Sequence, residues 1–152
     1  MIVYRLSKSI YASDLSGKGA EKVGGRWNSV GVPIVYTSES RALATAEVAV
    51  HISLSNIPTD YRIISIEIPD DSIFIPELKI LPTDWADIPP KDESQKYGDR
   101  FVDEGKYLTM KVPSAVIPGD FNYLINSRHK DIGLVEIKDI TSYLFDRRLF
   151  KV

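Results

Sequence analysis

Prolines divide this chain into short apolar segments, and this division limits the possible folds more than any other feature. Between residues 69 and 90 the chain holds five prolines. Because proline lacks a backbone N–H and has a fixed φ, it is excluded from helix interiors and central strands. We therefore expect residues 69–90 to be extended and irregular, with Trp85 anchoring them. Pro113 and Pro118 separate the later apolar runs in the same way.

The apolar runs between these breaks have the length of β-strands. Residues 61–68 alternate well enough between apolar and polar side chains to form a half-buried strand. Residues 7–25 are rich in serine and glycine, which predicts a loop. Shorter strand candidates lie at residues 2–6, 34–36, 107–112, 115–117 and 121–125, and at least one more lies within 133–145.

Two segments have helical features instead. Ser38 or Ser40 could cap a helix over residues 40–53, and residues 92–106 suit a second helix. Two helices among about six strands predict an α+β fold with a mixed or antiparallel sheet. The length of the chain predicts a single domain over residues 1–152.

Charge and composition exclude several classes of function. The chain has 19 Lys and Arg against 21 Asp and Glu, so it lacks the basic excess typical of nucleic-acid binding. It has no cysteine and two histidines, so no metal site is expected. The N-terminal segment lacks a signal-peptide apolar block, and no apolar run approaches transmembrane length. We therefore expect a cytoplasmic protein with no membrane contact.

A carboxylate within an apolar helix face is the first candidate for chemistry. On a helix over residues 40–53, Leu43, Glu47 and Val50 lie on one face. A carboxylate there is costly unless another group satisfies it. Glu47 could lie at the edge of this face and pair with Arg41 or another cation, or it could be held inside for a function.

Arg26 and Tyr36 are two further candidates, and each has an ordinary alternative. Arg26 follows Gly24 and Gly25, so it could bind phosphate or carboxylate where backbone approaches closely, or it could lie on a surface turn. Tyr36 ends a predicted strand before the capped helix, so its ring could face a planar ligand or complete the core. The glycine spacing matches neither a dinucleotide fingerprint nor a P-loop.

Several of these segments follow the order and spacing of one known family. The run GGRWNSVGVPIVYTSES, followed by ALATAEVAVHI, LPTDW, GDRF, VPSAVIPGDFNYLIN and FDRRLF, resembles the RES domain family over residues 4–150. The resemblance implies an ADP-ribosyltransferase-like fold. It also implies a bacterial toxin that is paired with an Xre-type antitoxin protein and degrades NAD+ by hydrolysis or phosphorolysis. The alternatives are ADP-ribose transfer to a cellular protein and a catalytically inactive module that only binds the antitoxin.

The same resemblance assigns roles to individual residues. It implies NAD+ as the substrate, phosphate or a protein side chain as candidate acceptor, and no metal or other cofactor. The implied catalytic residues are Arg26, Tyr36, Glu47 and Ser114, with Ser127 as a competing position for the serine. The implied ligand-binding residues are Trp27, Asn28, Ser38 and Asn122. The basic residues Arg147, Arg148 and Lys151 could contact the antitoxin or simply be solvated.

Overall fold

Seven short strands form one sheet in the computed structural model, which describes residues 1–150. The strands are β1 (Ile2–Lys8), β2 (Val35–Ser38), β3 (Tyr61–Glu67), β4 (Ile73–Phe74), β5 (Thr109–Pro113), β6 (Phe121–Ile125) and β7 (Glu136–Tyr143). The helices are α1 (Lys18–Val23), α2 (Arg41–Ala49) and α3 (Asp92–Glu104). The strand order is β4-β5-β6-β2-β1-β3-β7, in which β4 and β5 are parallel and the other pairs antiparallel. This mixed sheet with helices confirms the predicted α+β class.

Two local predictions are wrong. Residues 18–23, predicted as loop, form α1, which begins after Gly17 in the left-handed region at φ +73°. Residues 115–117, predicted as a strand, form a bend instead. The Ser114 hydroxyl accepts hydrogen bonds from the backbone N–H groups two and three residues later, at 3.1 and 2.9 Å. These bonds hold the chain in the bend and away from the sheet.

Apolar side chains cover both faces of the sheet, because successive residues of a strand point to opposite sides. On one face Val3 and Val35 are buried in a cluster that includes Val135 from a connecting segment. On the other face Leu124 is buried together with Phe101, which α3 contributes. The core therefore lies on both sides of the sheet, and each central strand has an apolar residue on each face.

Helix α2 packs against β1 and β2 near the centre of the sheet. Its first turn is capped by Ser40, whose hydroxyl accepts the backbone N–H of Leu43 at 3.0 Å, so one of the two predicted caps is confirmed. Leu43 and Ala44 are buried, and Glu47 lies one turn later on the same side of the helix. The helix ends at Ala49, earlier than the predicted residue 53.

The two central strands β1 and β2 pair with each other over a very short stretch. Their register contains one pair, Tyr4 opposite Ser38. On its other side β1 pairs with β3 over all 7 of its residues. The loose join in the middle of the sheet leaves room for a cleft that both strands line, and the candidate site lies there.

Candidate active site

A cavity of about 420 Å³ opens at the join between β1 and β2. Its walls come from both strands, from α2 and from the glycine-rich segment that leads to Arg26. Five of the predicted site residues line it, namely Arg26, Tyr36, Ser38, Glu47 and Asn122. The fold therefore brings together side chains from distant parts of the chain.

Glu47 is held at this cavity by two side-chain donors. Its Oε1 atom accepts hydrogen bonds from Ser114 Oγ at 2.7 Å and from Asn122 Nδ2 at 2.6 Å. Asn122 is oriented in turn by Ser38, whose hydroxyl donates to Asn122 Oδ1 at 2.7 Å. Both donors reach the same carboxylate oxygen, and Oε2 has no protein hydrogen bond within residues 1–150. The carboxylate is thus fixed while one oxygen remains for a ligand.

The alternative, in which Glu47 pairs with Arg41 or another cation, is not found: within residues 1–150 Glu47 forms no salt bridge. The Arg41 side chain donates to Ser65 Oγ at 3.3 Å, and its guanidinium lies 5.0 Å from the ring centroid of Tyr4. Arg41 thus packs towards β1 and β3, whereas Glu47 turns towards β6. This geometry favours the functional interpretation of the half-buried carboxylate on α2.

The two candidate serines hold different positions. Ser114 is 3% exposed, lies behind the cavity lining and supports Glu47 through its hydroxyl. The Ser127 hydroxyl donates to the backbone carbonyl of Ser16 at 2.7 Å. Of the two serines, Ser114 is the one in contact with the candidate catalytic carboxylate.

Arg26 is tethered by main-chain carbonyls of the proline-rich segment. Its Nη1 atom donates to the carbonyl oxygens of Trp85 at 2.7 Å and Asp87 at 2.8 Å. Partial burial lowers the pKa of Arg26, while the nearby carboxylate of Glu47 opposes this shift. A guanidinium remains cationic at neutral pH in spite of such a shift. The cavity therefore presents a fixed positive charge close to the negative charge of Glu47.

Tyr36 lines the cavity, while its hydroxyl forms hydrogen bonds with the segment that follows Arg26. The hydroxyl accepts the backbone N–H of Trp27 at 3.1 Å and donates to Asn28 Oδ1 at 2.7 Å. Burial raises the pKa of Tyr36 far above its ordinary value, so the hydroxyl stays neutral. Gly25 permits this close arrangement, because a Cβ there would lie 2.7 Å from the Tyr36 hydroxyl oxygen.

Trp27 and Asn28 lie behind the cavity wall rather than on it. Both are buried, and Asn28 Nδ2 donates to the carbonyls of Ala20 and Val32 at 2.8 and 2.9 Å. The Trp27 indole stacks on Trp85 with ring centroids 6.2 Å apart. The structure does not bring these two predicted ligand-binding residues to the cavity, and their contacts shape the loop that carries Arg26 instead.

Five titratable residues that the sequence reasoning did not select also line the cavity, namely Tyr4, Arg5, Asp14, Lys18 and His51. Arg5 donates to the backbone carbonyl of Asp14, and burial lowers the pKa of Arg5 while the Asp14 carboxylate opposes that shift. A charged residue in the middle of the apolar run IVYRL was the signal that could have found Arg5. Asp14 and Lys18 lie in the segment predicted as a loop and gave no such signal.

Three further predictions concern metal binding, membranes and the C-terminal basic residues. Residues 1–150 contain no group of three His, Asp or Glu side chains that could hold a metal ion. In the same range no helix is both long and apolar enough to cross a membrane. Arg148 pairs with Asp146 at 2.7 Å, and Lys151 lies outside the described residues.

A comparison with protein families identifies the family of the chain that forms this cavity. The profile of the RES domain matches residues 2–146. The chain belongs to the RES domain family. This finding confirms the resemblance seen in the sequence, and the matched range includes all of the predicted site residues.

Two known proteins are similar to this RES chain in sequence, and a solved structure is similar to it in fold. A protein named Toxin Res from Pseudomonas putida is 38% identical over 154 residues, which are 99% of this chain and 100% of that protein. The Prs ADP-ribosylating toxin of Sphingobium sp. is 34% identical over 148 residues, which are 95% of this chain and 92% of that protein. A chain in the crystal structure of the M. tuberculosis MbcT–MbcA toxin–antitoxin complex superposes with a TM-score of 0.75 at 19% identity, over 98% of this chain and 86% of that chain. At this identity the structural likeness establishes the fold alone.

Proposed function

We propose that this RES protein is the toxin of a toxin–antitoxin system and that it degrades NAD+ in the bacterial cytoplasm. The observation that carries the proposal is the Glu47 carboxylate, fixed at the wall of a cavity that Arg26 and Tyr36 also line. A volume of about 420 Å³ lies in the range of small-molecule sites. The names of the similar full-length proteins, both called toxins, support the cellular role.

The proposed reaction breaks the bond between the nicotinamide nitrogen and the ribose carbon C1″. In hydrolysis a water oxygen forms the new bond to C1″, and the water releases one proton. In phosphorolysis a phosphate oxygen forms that bond, and the product is ADP-ribose 1″-phosphate. Nicotinamide leaves with the bonding electron pair in both cases. Because its ring nitrogen is cationic in NAD+, it leaves as a neutral molecule and needs no general acid.

Glu47 would act on the positive charge that develops as this bond breaks. The transition state resembles an oxocarbenium ion, as in the cleavage of glycosides. A carboxylate that is already oriented by Ser114 and Asn122 can bind the ribose hydroxyls. Its attraction for the ribose grows as the charge develops, so it stabilises the transition state more than the bound substrate. Partial removal from water strengthens this attraction.

Arg26 and Tyr36 would position the substrate around that carboxylate. The guanidinium of Arg26 is anchored through Nη1, and its other nitrogen donors suit the pyrophosphate or a ribose oxygen. The ring of Tyr36 would stack on nicotinamide, because its buried hydroxyl is committed to Trp27 and Asn28. Such positioning holds the bond in a reactive orientation.

The direct test is to follow NAD+ and its products by chromatography with the wild type and with Glu47→Gln. We expect the wild type to release nicotinamide and the variant to release none. Assays with and without inorganic phosphate separate the two reactions, because phosphorolysis yields ADP-ribose 1″-phosphate and hydrolysis yields ADP-ribose. No nicotinamide release by the wild type over a range of NAD+ concentrations would refute the proposal and favour an inactive binding module.

Transfer of ADP-ribose to a cellular protein is the second candidate function. It is favoured by the similarity to the Prs ADP-ribosylating toxin, at 34% identity over 95% of this chain. In this reaction a protein side chain replaces water as the nucleophile at C1″, and the same cavity serves. Incubation of the protein with labelled NAD+ and a bacterial lysate separates the two functions. Label on a protein band supports transfer, and label in free ADP-ribose alone supports degradation.

The proposed function includes inhibition of the toxin by an antitoxin protein. A protein of the same fold was crystallised in a toxin–antitoxin complex, which supports a protein partner for this chain. An Xre-type antitoxin would most simply inhibit by covering the cavity. We expect induction of the protein to arrest bacterial growth and a co-expressed neighbouring gene to relieve that arrest. Growth arrest by Glu47→Gln at equal protein level would separate toxicity from the proposed chemistry.

A further inference from the structure

The loop that carries Arg26 is held on one side by α3. Gln95, Gly98 and Asp99 lie on one face of this helix, because they are three and four residues apart. Gln95 Nε2 donates to the carbonyl of Gly25 at 3.0 Å. The Asp99 carboxylate accepts the backbone N–H of Ser29 at 2.9 Å and the Ser29 hydroxyl at 2.6 Å. These bonds bracket Arg26 on both sides in the sequence.

Gly98 brings the helix and the loop together backbone to backbone. A Cβ at this position would lie 1.7 Å from the carbonyl oxygen of Trp27, the residue next to Arg26. No pair of non-bonded atoms tolerates this distance, and neither partner is a flexible side chain. Even an alanine at position 98 would therefore force the loop away from α3.

The proline-rich segment holds the loop from another side. Trp85 stacks on Trp27 with ring centroids 6.2 Å apart and an interplanar angle of 19°. The carbonyls of Trp85 and Asp87 accept the two hydrogen bonds of Arg26 Nη1. The ring of Tyr97 on α3 makes a T-shaped contact with the Trp27 indole, with ring centroids 6.2 Å apart and an interplanar angle of 66°. Trp27 is therefore packed between α3 and the proline-rich segment.

We propose that α3 and the Trp27–Trp85 stack form a clamp that sets the position of Arg26. Gly98, Asp99 and Trp85 are then positioning residues for NAD+ turnover, an inference that rests on the proposed function of the site. They do not line the cavity, so they act through the arginine rather than on the substrate. A displacement of about 1 Å at a substrate-positioning group can cost about 100-fold in rate. The clamp thus affects the chemistry through Arg26, without lining the cavity itself.

Tryptophan fluorescence observes the clamp without reference to activity. The sequence contains two tryptophans, and both are in the stack. We expect Gly98→Ala to shift the emission to longer wavelength and to increase quenching by acrylamide, with an unchanged far-ultraviolet circular dichroism spectrum. Gly133→Ala is the matched control, because a Cβ there meets nothing within 4 Å. Asp99→Asn is the milder variant if Gly98→Ala does not fold, with exposed Asp103→Asn as its control.

A double-mutant cycle separates positioning from a merely structural role. We expect Asp99→Asn to lower kcat/KM for NAD+ by about tenfold or more, mainly through KM, since Arg26 binds the substrate. In an Arg26→Ala background the same substitution has no further effect, because the group that the clamp positions is already absent. A structural defect would lower activity equally in both backgrounds.

Equal losses in the two backgrounds would overturn the clamp proposal. So would wild-type kinetics and wild-type tryptophan spectra in both Gly98→Ala and Asp99→Asn. If the wild type shows no NAD+ turnover, the proposed function fails, and the fluorescence measurement decides the clamp by itself. Unchanged emission and quenching in both folded variants would then refute the clamp.

Discussion

The Ser114 hydroxyl and the Glu47 carboxylate lie 2.7 Å apart although 67 positions separate them in the sequence. Ser114 Oγ also accepts two backbone N–H groups of its own bend, at 3.1 and 2.9 Å. Because these groups occupy its acceptor positions, the hydroxyl proton points to Glu47. The bend after β5 therefore determines the orientation of the carboxylate on α2.

Replacement of this serine tests the relationship. Ser114→Ala removes one of two donors to Glu47 Oε1 and leaves two backbone N–H groups of the bend without their side-chain acceptor. We expect a loss of about 1–3 kcal/mol in unfolding free energy and a reduced kcat for NAD+. Urea denaturation and steady-state kinetics measure the two effects. Ser127→Ala is the control, since it removes a serine hydroxyl whose hydrogen bond goes to the Ser16 carbonyl and not to Glu47, so it should keep full activity. A larger activity loss in the control would assign the site serine to Ser127.

Glu47→Gln should separate activity from stability. The glutamine keeps a carbonyl oxygen that can accept from Ser114 and Asn122, so the hydrogen bonds of the site survive. The charge is lost, and with it the attraction for the oxocarbenium ion. We expect no detectable NAD+ loss and a Tm equal to or above that of the wild type, measured by calorimetry. A variant that melts many degrees lower would show that Glu47 is a structural residue instead.

Arg26→Ala should weaken NAD+ turnover without unfolding the protein. The substitution removes charge-assisted hydrogen bonds, which are worth about 1.5–3 kcal/mol each, so kcat/KM should fall by about tenfold or more. The arginine is partly exposed and its tether uses two main-chain carbonyls, so the fold should persist. Steady-state kinetics measure kcat/KM, and a thermal melt of the same sample measures Tm. An unaltered rate would remove Arg26 from the site.

Tyr36 should not ionise while the protein is folded. Burial raises the pKa of its hydroxyl, whereas an unperturbed tyrosine titrates at about pH 10. The folded form holds this proton more tightly than the unfolded form, so the stabilisation is complete below about pH 10 and is lost as the pH rises beyond it. Absorbance at 295 nm should therefore rise equally for wild type and Tyr36→Phe up to the pH of unfolding. A smaller rise for Tyr36→Phe would contradict the buried state of the hydroxyl.

Most local elements and the family could be predicted from the amino-acid sequence. The cap at Ser40, the strand over Tyr61–Glu67 and the helix over Asp92–Glu104 all depend on residues a few positions apart, and each appears at or close to its predicted place. The order and spacing of the motifs also sufficed to indicate the RES family, because that pattern is carried by the chain itself.

Which of the candidate residues contact one another became visible only in the folded protein. Glu47 finds its donors on β6 and in the bend after β5, whereas Trp27 and Asn28 turn away from the cavity to build its wall. These contacts depend on the strand order, which places β2 between β6 and β1. Local propensity carries no information about such an order, because the free energy that selects it comes from packing between residues far apart in the chain.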